Sequence, residues 1–287
     1  MEENKEISAL LNLIDDPDEE VFGAVSEKII GYGRIIIPNL EHLWENTPNE
    51  EIQDRIEIII HRLHYKDLSK DFQEWSISGH HDLLVGSLLA AKFQYPELST
   101  SPVLQEVEKL RRNIWLELNN YLTPLEQLRI VTGILYGYYG LKGTELVYEN
   151  VNDFLLHKTL ETKRGNQISN GILYLILCDL LDIPVKALNI PKQFVLGFFK
   201  TGQSDKLDQG LSNIEFFLDP TSGQVFTHKD IESYFKRISV PPVQSYFKPL
   251  TNKQVIQNLL EEMSKCFTEE KVQYKHTELL QLATLLD

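Results

Sequence analysis

The sequence predicts an α+β protein with a helical N-terminal region, and three observations carry that expectation. Apolar residues recur at helical spacing over most of residues 1–181. After Ile183-Pro184 the pattern changes to short β-branched and aromatic runs, 185–190, 194–199 and 214–218, each bounded by turn residues, as antiparallel strands require. Helical spacing then returns at 252–267 and 275–286. Helices followed by strands predict a helical layer packed on one sheet.

The first 75 residues carry a weak internal repeat. Pro17-Asp18-Glu19-Glu20-Val21 returns as Pro48-Asn49-Glu50-Glu51-Ile52. In each copy Asp18 or Asn49 is placed to cap a helix, and two glutamates fill its first turn, where the helix dipole favours them. Val21, Val25 and Ile29 follow one cap, and Ile52, Ile56, Ile59, Ile60 and Leu63 the other, with a further helix predicted at 36–44. Helix pairs repeating at this interval resemble a short HEAT-like α-solenoid.

The main domain is expected over 76–240. Helices are predicted at 82–93, ending before Pro96, at 102–121, and after Thr123-Pro124, where threonine caps and proline takes the first turn. Another is expected at 152–161, and the apolar run 167–181 forms a central helix. The segment 200–213 is a polar connection between strands. Asp219-Pro220-Thr221-Ser222-Gly223 is a turn, with a short return strand at 224–227. Residues 241–287 form two closing helices packed on the core, introduced by Pro241-Pro242 and Pro249.

Charge and cysteine content exclude several function classes. The 287 residues have a formal net charge of −14, and residues 1–75 hold 18 acidic against 7 basic side chains. Such a surface repels nucleic acid and anionic lipid, so neither is an expected partner. The acidic helical N-terminal region is instead expected to contact protein. Two cysteines form no disulfide framework, and no window is long and apolar enough for a membrane span. The acidic start MEENKEISALLNLIDDPDEE lacks the basic flank of a signal peptide, so the chain is expected in the cytoplasm.

No P-loop, GxGxxG, GxSxG, HExxH or CxxC occurs, and no cofactor or metal is implied. His61 and His64 share a helix face but lack further ligands to complete a site. Cys178 lies mid-helix among Leu175, Ile176, Leu177 and Leu180 and reads as a buried thiol, and Cys266 has no base nearby in sequence.

The informative stretch is RGNQISNGILYLILCDLLDIPVKALNIPKQFVLGFF, residues 164–199, followed by FFLDPTSG, 216–223. It resembles the transglutaminase-like superfamily, specifically the bacterial SirB family. Residues 82–96, DLLVGSLLAAKFQYP, are similar to that family's N-terminal helix, and 249–287 to its helical tail. The resemblance covers about 76–287 and implies a papain/transglutaminase-like core, a central helix on an antiparallel sheet. It also implies a thiol site: cysteine at the helix start, histidine on the following strand, aspartate on the next.

Mapped onto this chain, the cysteine position of Gly165-Asn166-Gln167 holds Gln167. The histidine position of Pro191-Lys192-Gln193-Phe194 holds Gln193, and only Asp219 keeps its type. A glutamine amide neither attacks a carbonyl nor takes a proton at neutral pH. The expected function is therefore a non-catalytic transglutaminase-like binding or scaffold module. In it Gln167, Gln193 and Asp219 face one another across a polar cleft. The alternative is a cryptic hydrolase or acyl transferase using Ser169 with Asp219, or with Lys163 or Lys192 as base if buried.

Overall fold

The computed structural model describes residues 2–200 and 211–287. The chain divides into two compact units, Met1–Asp71 and Phe72–Asp287.

The first unit holds helices α1 (Glu2–Leu11), α2 (Glu19–Gly31) and α3 (Ile37–Asn46), and most of α4 (Glu50–Ile77). Both copies of the repeat start a helix by the same local device. Asp18 Oδ1 accepts from the Glu20 amide at 2.8 Å, and Asn49 Oδ1 from the Glu51 amide at 2.9 Å. Such a cap contributes about 1 kcal/mol. Ile14, Val25, Ile29, Leu40, Ile56 and Ile59 fill the core between these helices.

In the second unit, Asp82 caps α5 (Leu83–Gln94) by accepting from the Val85 amide. Next come α6 (Ser101–Glu117), α7 (Pro124–Thr132) and α8 (Leu156–Thr162). Thr123 and Glu126 form a reciprocal capping box at the start of α7. Helix α6 stops short of the expected Tyr121, because Asn119 Oδ1 takes the Tyr121 amide at 3.0 Å and turns the chain. Helix α7 runs on as a π-helical turn over Gly133–Tyr138.

Two short strands unmarked in the sequence, β1 (Lys142–Gly143) and β2 (Arg164–Gly165), pair in parallel just before the central helix α9 (Gln167–Asp179). The main sheet has order β3-β4-β5-β6 and is antiparallel throughout: β3 (Val185–Ile190), β4 (Gln193–Phe199), β5 (Ile214–Leu218) and β6 (Val225–Phe226). Residues 201–210 of the polar connection between β4 and β5 lie outside the described residues. Helix α9 lies on one face of the sheet. Gly171 sets how close it comes: a Cβ there would sit 2.6 Å from the Phe194 ring.

The opposite face buries Leu188, Ile190, Val195 and Phe217 against Ile231 and Phe235 of α10 (His228–Ile238). The sequence reading had no helix here. Helices α11 (Asn252–Ser264) and α12 (Gln273–Thr284) pack on each other, and α11 also packs on α5. A central helix on an antiparallel sheet with helical flanks is the α+β architecture the resemblance implies.

Candidate functional site

Three elements bring the three positions expected from the resemblance to one cleft. Asn166 caps α9, its Oδ1 accepting from the Ile168 and Ser169 amides, so Gln167 is the first helical residue. Pro191 and Lys192, the latter left-handed at φ 64, form the two-residue turn that pairs Ile190 with Gln193 and starts β4. Asp219 directly follows β5. Because Leu196 pairs with Leu218, the register sets Asp219 opposite Val195, on the sheet face that also carries Gln193. Gln167, Gln193 and Asp219 all line a cleft of about 1130 Å³.

Their side chains hold different partners. The Phe194 amide donates to Gln167 Oε1 at 3.4 Å, tying the helix start to β4. The Gln193 side chain interacts with the Tyr234 hydroxyl, which donates to the Pro191 carbonyl at 2.8 Å. The Asp219 carboxylate accepts from the Thr221 amide and hydroxyl, at 2.8 and 2.7 Å, and from the Ser222 hydroxyl at 2.7 Å. Asp219 is thus engaged by its own turn, and Gln193 by a residue of α10.

Ser169 is buried, only 1 % exposed, and donates to the Asp153 carbonyl at 2.8 Å. It is not among the cleft residues, and its hydroxyl and the Asp219 carboxylate bond to separate partners. Of the two lysines, Lys192 lines the cleft as an exposed side chain, while the Lys163 ammonium lies 4.7 Å from the centre of the Tyr139 ring. Cys178 is fully buried in α9, and burial pushes its thiol far above the usual range. Burial raises the Cys266 thiol to about 11. Neither cysteine lines the cleft. Among the described residues no cluster of three or more His, Cys, Asp or Glu is placed to hold a metal.

The sequence reading missed one wall of the cleft entirely. Helix α10 supplies Asp230, Ile231, Tyr234 and Arg237 to it. The signal was present in Thr227-x-x-Asp230: Thr227 Oγ1 accepts from the Asp230 amide, and Asp230 Oδ2 accepts from the Thr227 amide at 2.8 Å. That cap and the Thr227 hydroxyl hold the Asp230 carboxyl below its ordinary range. Gly143, Thr144, Glu145 and Leu146 line the cleft too. Gly143 is needed there, since a Cβ would clash with the Thr221 carbonyl oxygen.

A model of the transglutaminase-like superfamily matches residues 101–261. The chain is 24% identical over 190 residues to Protein SirB1 of Salmonella typhimurium, covering 65% of this chain and 66% of that protein. It is 23% identical over 191 residues to UPF0162 protein YchA of Escherichia coli strain K12, covering 66% and 67%. A similar match, 19% over 187 residues, covers 64% of this chain and 66% of UPF0162 protein BU173 of Buchnera aphidicola. The chain thus spans about two thirds of the length of the curated relatives it matches. No solved structure gives a significant match. Among the described residues no helix is long and apolar enough to cross a membrane.

Proposed function

The chain belongs to the transglutaminase-like superfamily, and from that membership we propose that it is a non-catalytic member, a binding or scaffold module. One observation carries the reading. The cleft that gathers the three family positions presents two carboxamides where a thiol and an imidazole would act, and the remaining carboxylate is held by Thr221 and Ser222. Nucleophile and base work as a unit, so the absence of both removes the chemistry rather than slowing it. A carboxamide offers a donor and an acceptor at once and suits amide or carboxyl groups of a bound partner.

The reading extends to the acidic N-terminal helices, as a second, protein-contacting arm of HEAT-like character, and to a cytoplasmic setting. The experiment is a panel of thiol- and serine-directed activity probes, with a transamidation assay on amide-bearing peptides. No labelling and no product are expected from the folded wild type. Labelling lost in Ser169→Ala, or turnover lost in Cys178→Ser, would overturn the reading.

A further inference from the structure

Most residues lining the cleft sit on strands, on α9 or α10, or in hydrogen-bonded turns, but Glu145 and Leu146 do not. Thr144 donates its amide to the Gly165 carbonyl at 2.9 Å, and the Asn150 carbonyl accepts from the Asp153 amide at 3.2 Å. Between these two fixed points residues 145–149 make no main-chain hydrogen bond to any described residue. All of them except the half-buried Leu146 are exposed. A segment with no ladder bonds and little buried surface opens at low free energy unless something else holds it.

Tyr148 supplies that hold. Its hydroxyl donates to Glu262 Oε2 at 2.7 Å, and the Lys265 ammonium lies 2.6 Å from Glu262 Oε1, so one carboxylate near the end of α11 receives both. The same ammonium is 5.4 Å from the centre of the Tyr148 ring. That ring stacks on the buried Phe154, with 6.1 Å between centres and 16° between planes. Burial and the bond to Glu262 push the Tyr148 hydroxyl up to about 12, so it stays a donor through the ordinary pH range. Tyr148, Glu262 and Lys265 do not line the cleft, and neither does any residue of α11. The contact that fixes residues 145–149 therefore lies outside the cleft.

We infer that residues 145–149 are a strap, clamped to the end of α11 by Tyr148, Glu262 and Lys265, and that this clamp sets where Glu145 and Leu146 stand in the cleft. The strap begins at Thr144, which bonds Gly165, two residues before Gln167. Releasing the clamp lets the strap swing out and opens the cleft beside Gln167. An event on the surface of α11 that takes the Glu262 carboxylate is thereby coupled to the cleft, through an element with two arrangements.

Two readouts on the full chain test this. A glutamate-specific endoproteinase under native conditions cuts the strap after Glu145 and Glu149 only when it opens, and the rate follows the open population. Cutting at these two sites should rise roughly tenfold in Tyr148→Phe and in Glu262→Ala, the effect of removing a hydrogen bond to a carboxylate. Glu262→Gln, which keeps an acceptor, should fall between these variants and the wild type. The second readout is iodoacetamide labelling of a cysteine introduced by Gln167→Cys, mapped by mass spectrometry apart from Cys178 and Cys266. Adding Tyr148→Phe should speed that labelling. Unchanged cutting in both Tyr148→Phe and Glu262→Ala would overturn the inference, and so would faster cutting with unchanged labelling, since the strap would then move without altering the cleft. Tyr148→Phe keeps the ring on Phe154, so the fold should hold. Cutting that spreads beyond the two sites would show that the hydroxyl holds the whole unit rather than a strap, and would overturn it as well.

Discussion

Gln193 interacts with Tyr234 of α10, whose phenolic hydroxyl donates to the Pro191 carbonyl at 2.8 Å. The partner of residue 193 therefore comes from α10, and Asp219, directly after β5, is held by Thr221 and Ser222. This bears directly on building a thiol site at these positions. Gln167→Cys alone should give a weakly reactive thiol, helped by the α9 N-terminus but without a proton acceptor. Gln167→Cys with Gln193→His should place the imidazole against a neutral phenol, which does not hold it charged. Adding Thr221→Val and Ser222→Ala removes the hydroxyl donors from Asp219 and leaves it only the Thr221 amide, and the cysteine pKa should then drop about one further unit, worth roughly 1.4 kcal/mol. The pH dependence of iodoacetamide labelling across the three variants measures this. Equal profiles for the double and quadruple variants would show that Asp219 does not reach residue 193.

The compact units divide inside α4, at Asp71/Phe72. Phe72 and Trp75 are buried, and the Trp75 indole donates to the Asp82 carbonyl at 3.0 Å. The Trp75 ring also fills the space beside Gly86, where a Cβ would meet it at 2.7 Å. A chain begun at residue 72 should stay folded. One begun at residue 76 loses both aromatics and should be destabilised by at least about 3–5 kcal/mol, the usual cost of deleting one large buried aromatic. Urea melts with near-UV circular dichroism separate the two, and matching midpoints would refute the assignment of Phe72–Trp75 to the second unit.

His157 is buried on α8, edge-on to Tyr95, with neither ring nitrogen hydrogen-bonded to a described residue. Burial, with the nearby Lys158 ammonium, lowers its pKa, and Glu161 opposes this only in part. The folded state thus binds this proton less readily than the unfolded chain does. The contribution of His157 is complete above the ordinary histidine pKa and is lost as pH falls below it toward the lowered value. The slope should not exceed about 1.4 kcal/mol per pH unit for one proton. His157→Phe should flatten the urea midpoint between pH 7 and pH 5. An unchanged profile would mean that His157 titrates normally.

Two helical glycines should respond to alanine with opposite signs. At Gly171 of α9 the new Cβ meets the Phe194 ring at 2.6 and 3.0 Å, so overpacking of about 1–3 kcal/mol outweighs the gain in helix propensity. At Gly23 of α2 nothing lies within 4 Å, so Gly23→Ala should stabilise by up to about 1 kcal/mol. Thermal melts of both variants check the pair. A stable Gly171→Ala would mean that β4 and the Gln167 contact can move away from the helix.

Residue order alone determined the local structure, because local signals act between neighbours. Caps at Asp18, Asn49 and Thr123, the apolar run of α9 and the short β-branched and aromatic strands β3, β4 and β5 were all legible. The positions of Gln167, Gln193 and Asp219 came from the family resemblance, whose motifs fall at a helix start, a strand start and a strand end, all local features. What those side chains touch was decided only by tertiary structure. Gln193 meets Tyr234, 41 positions away in the chain, because α10 packs Ile231 and Phe235 on the sheet face that carries Gln193. Ser169 is two residues from Gln167 but turns inward to the Asp153 carbonyl, because about 100° per residue carries it off the cleft side of the helix. The two-residue pairing of β1 with β2 had no sequence signal either. So short a strand exists only because the chain on both sides is already held in place.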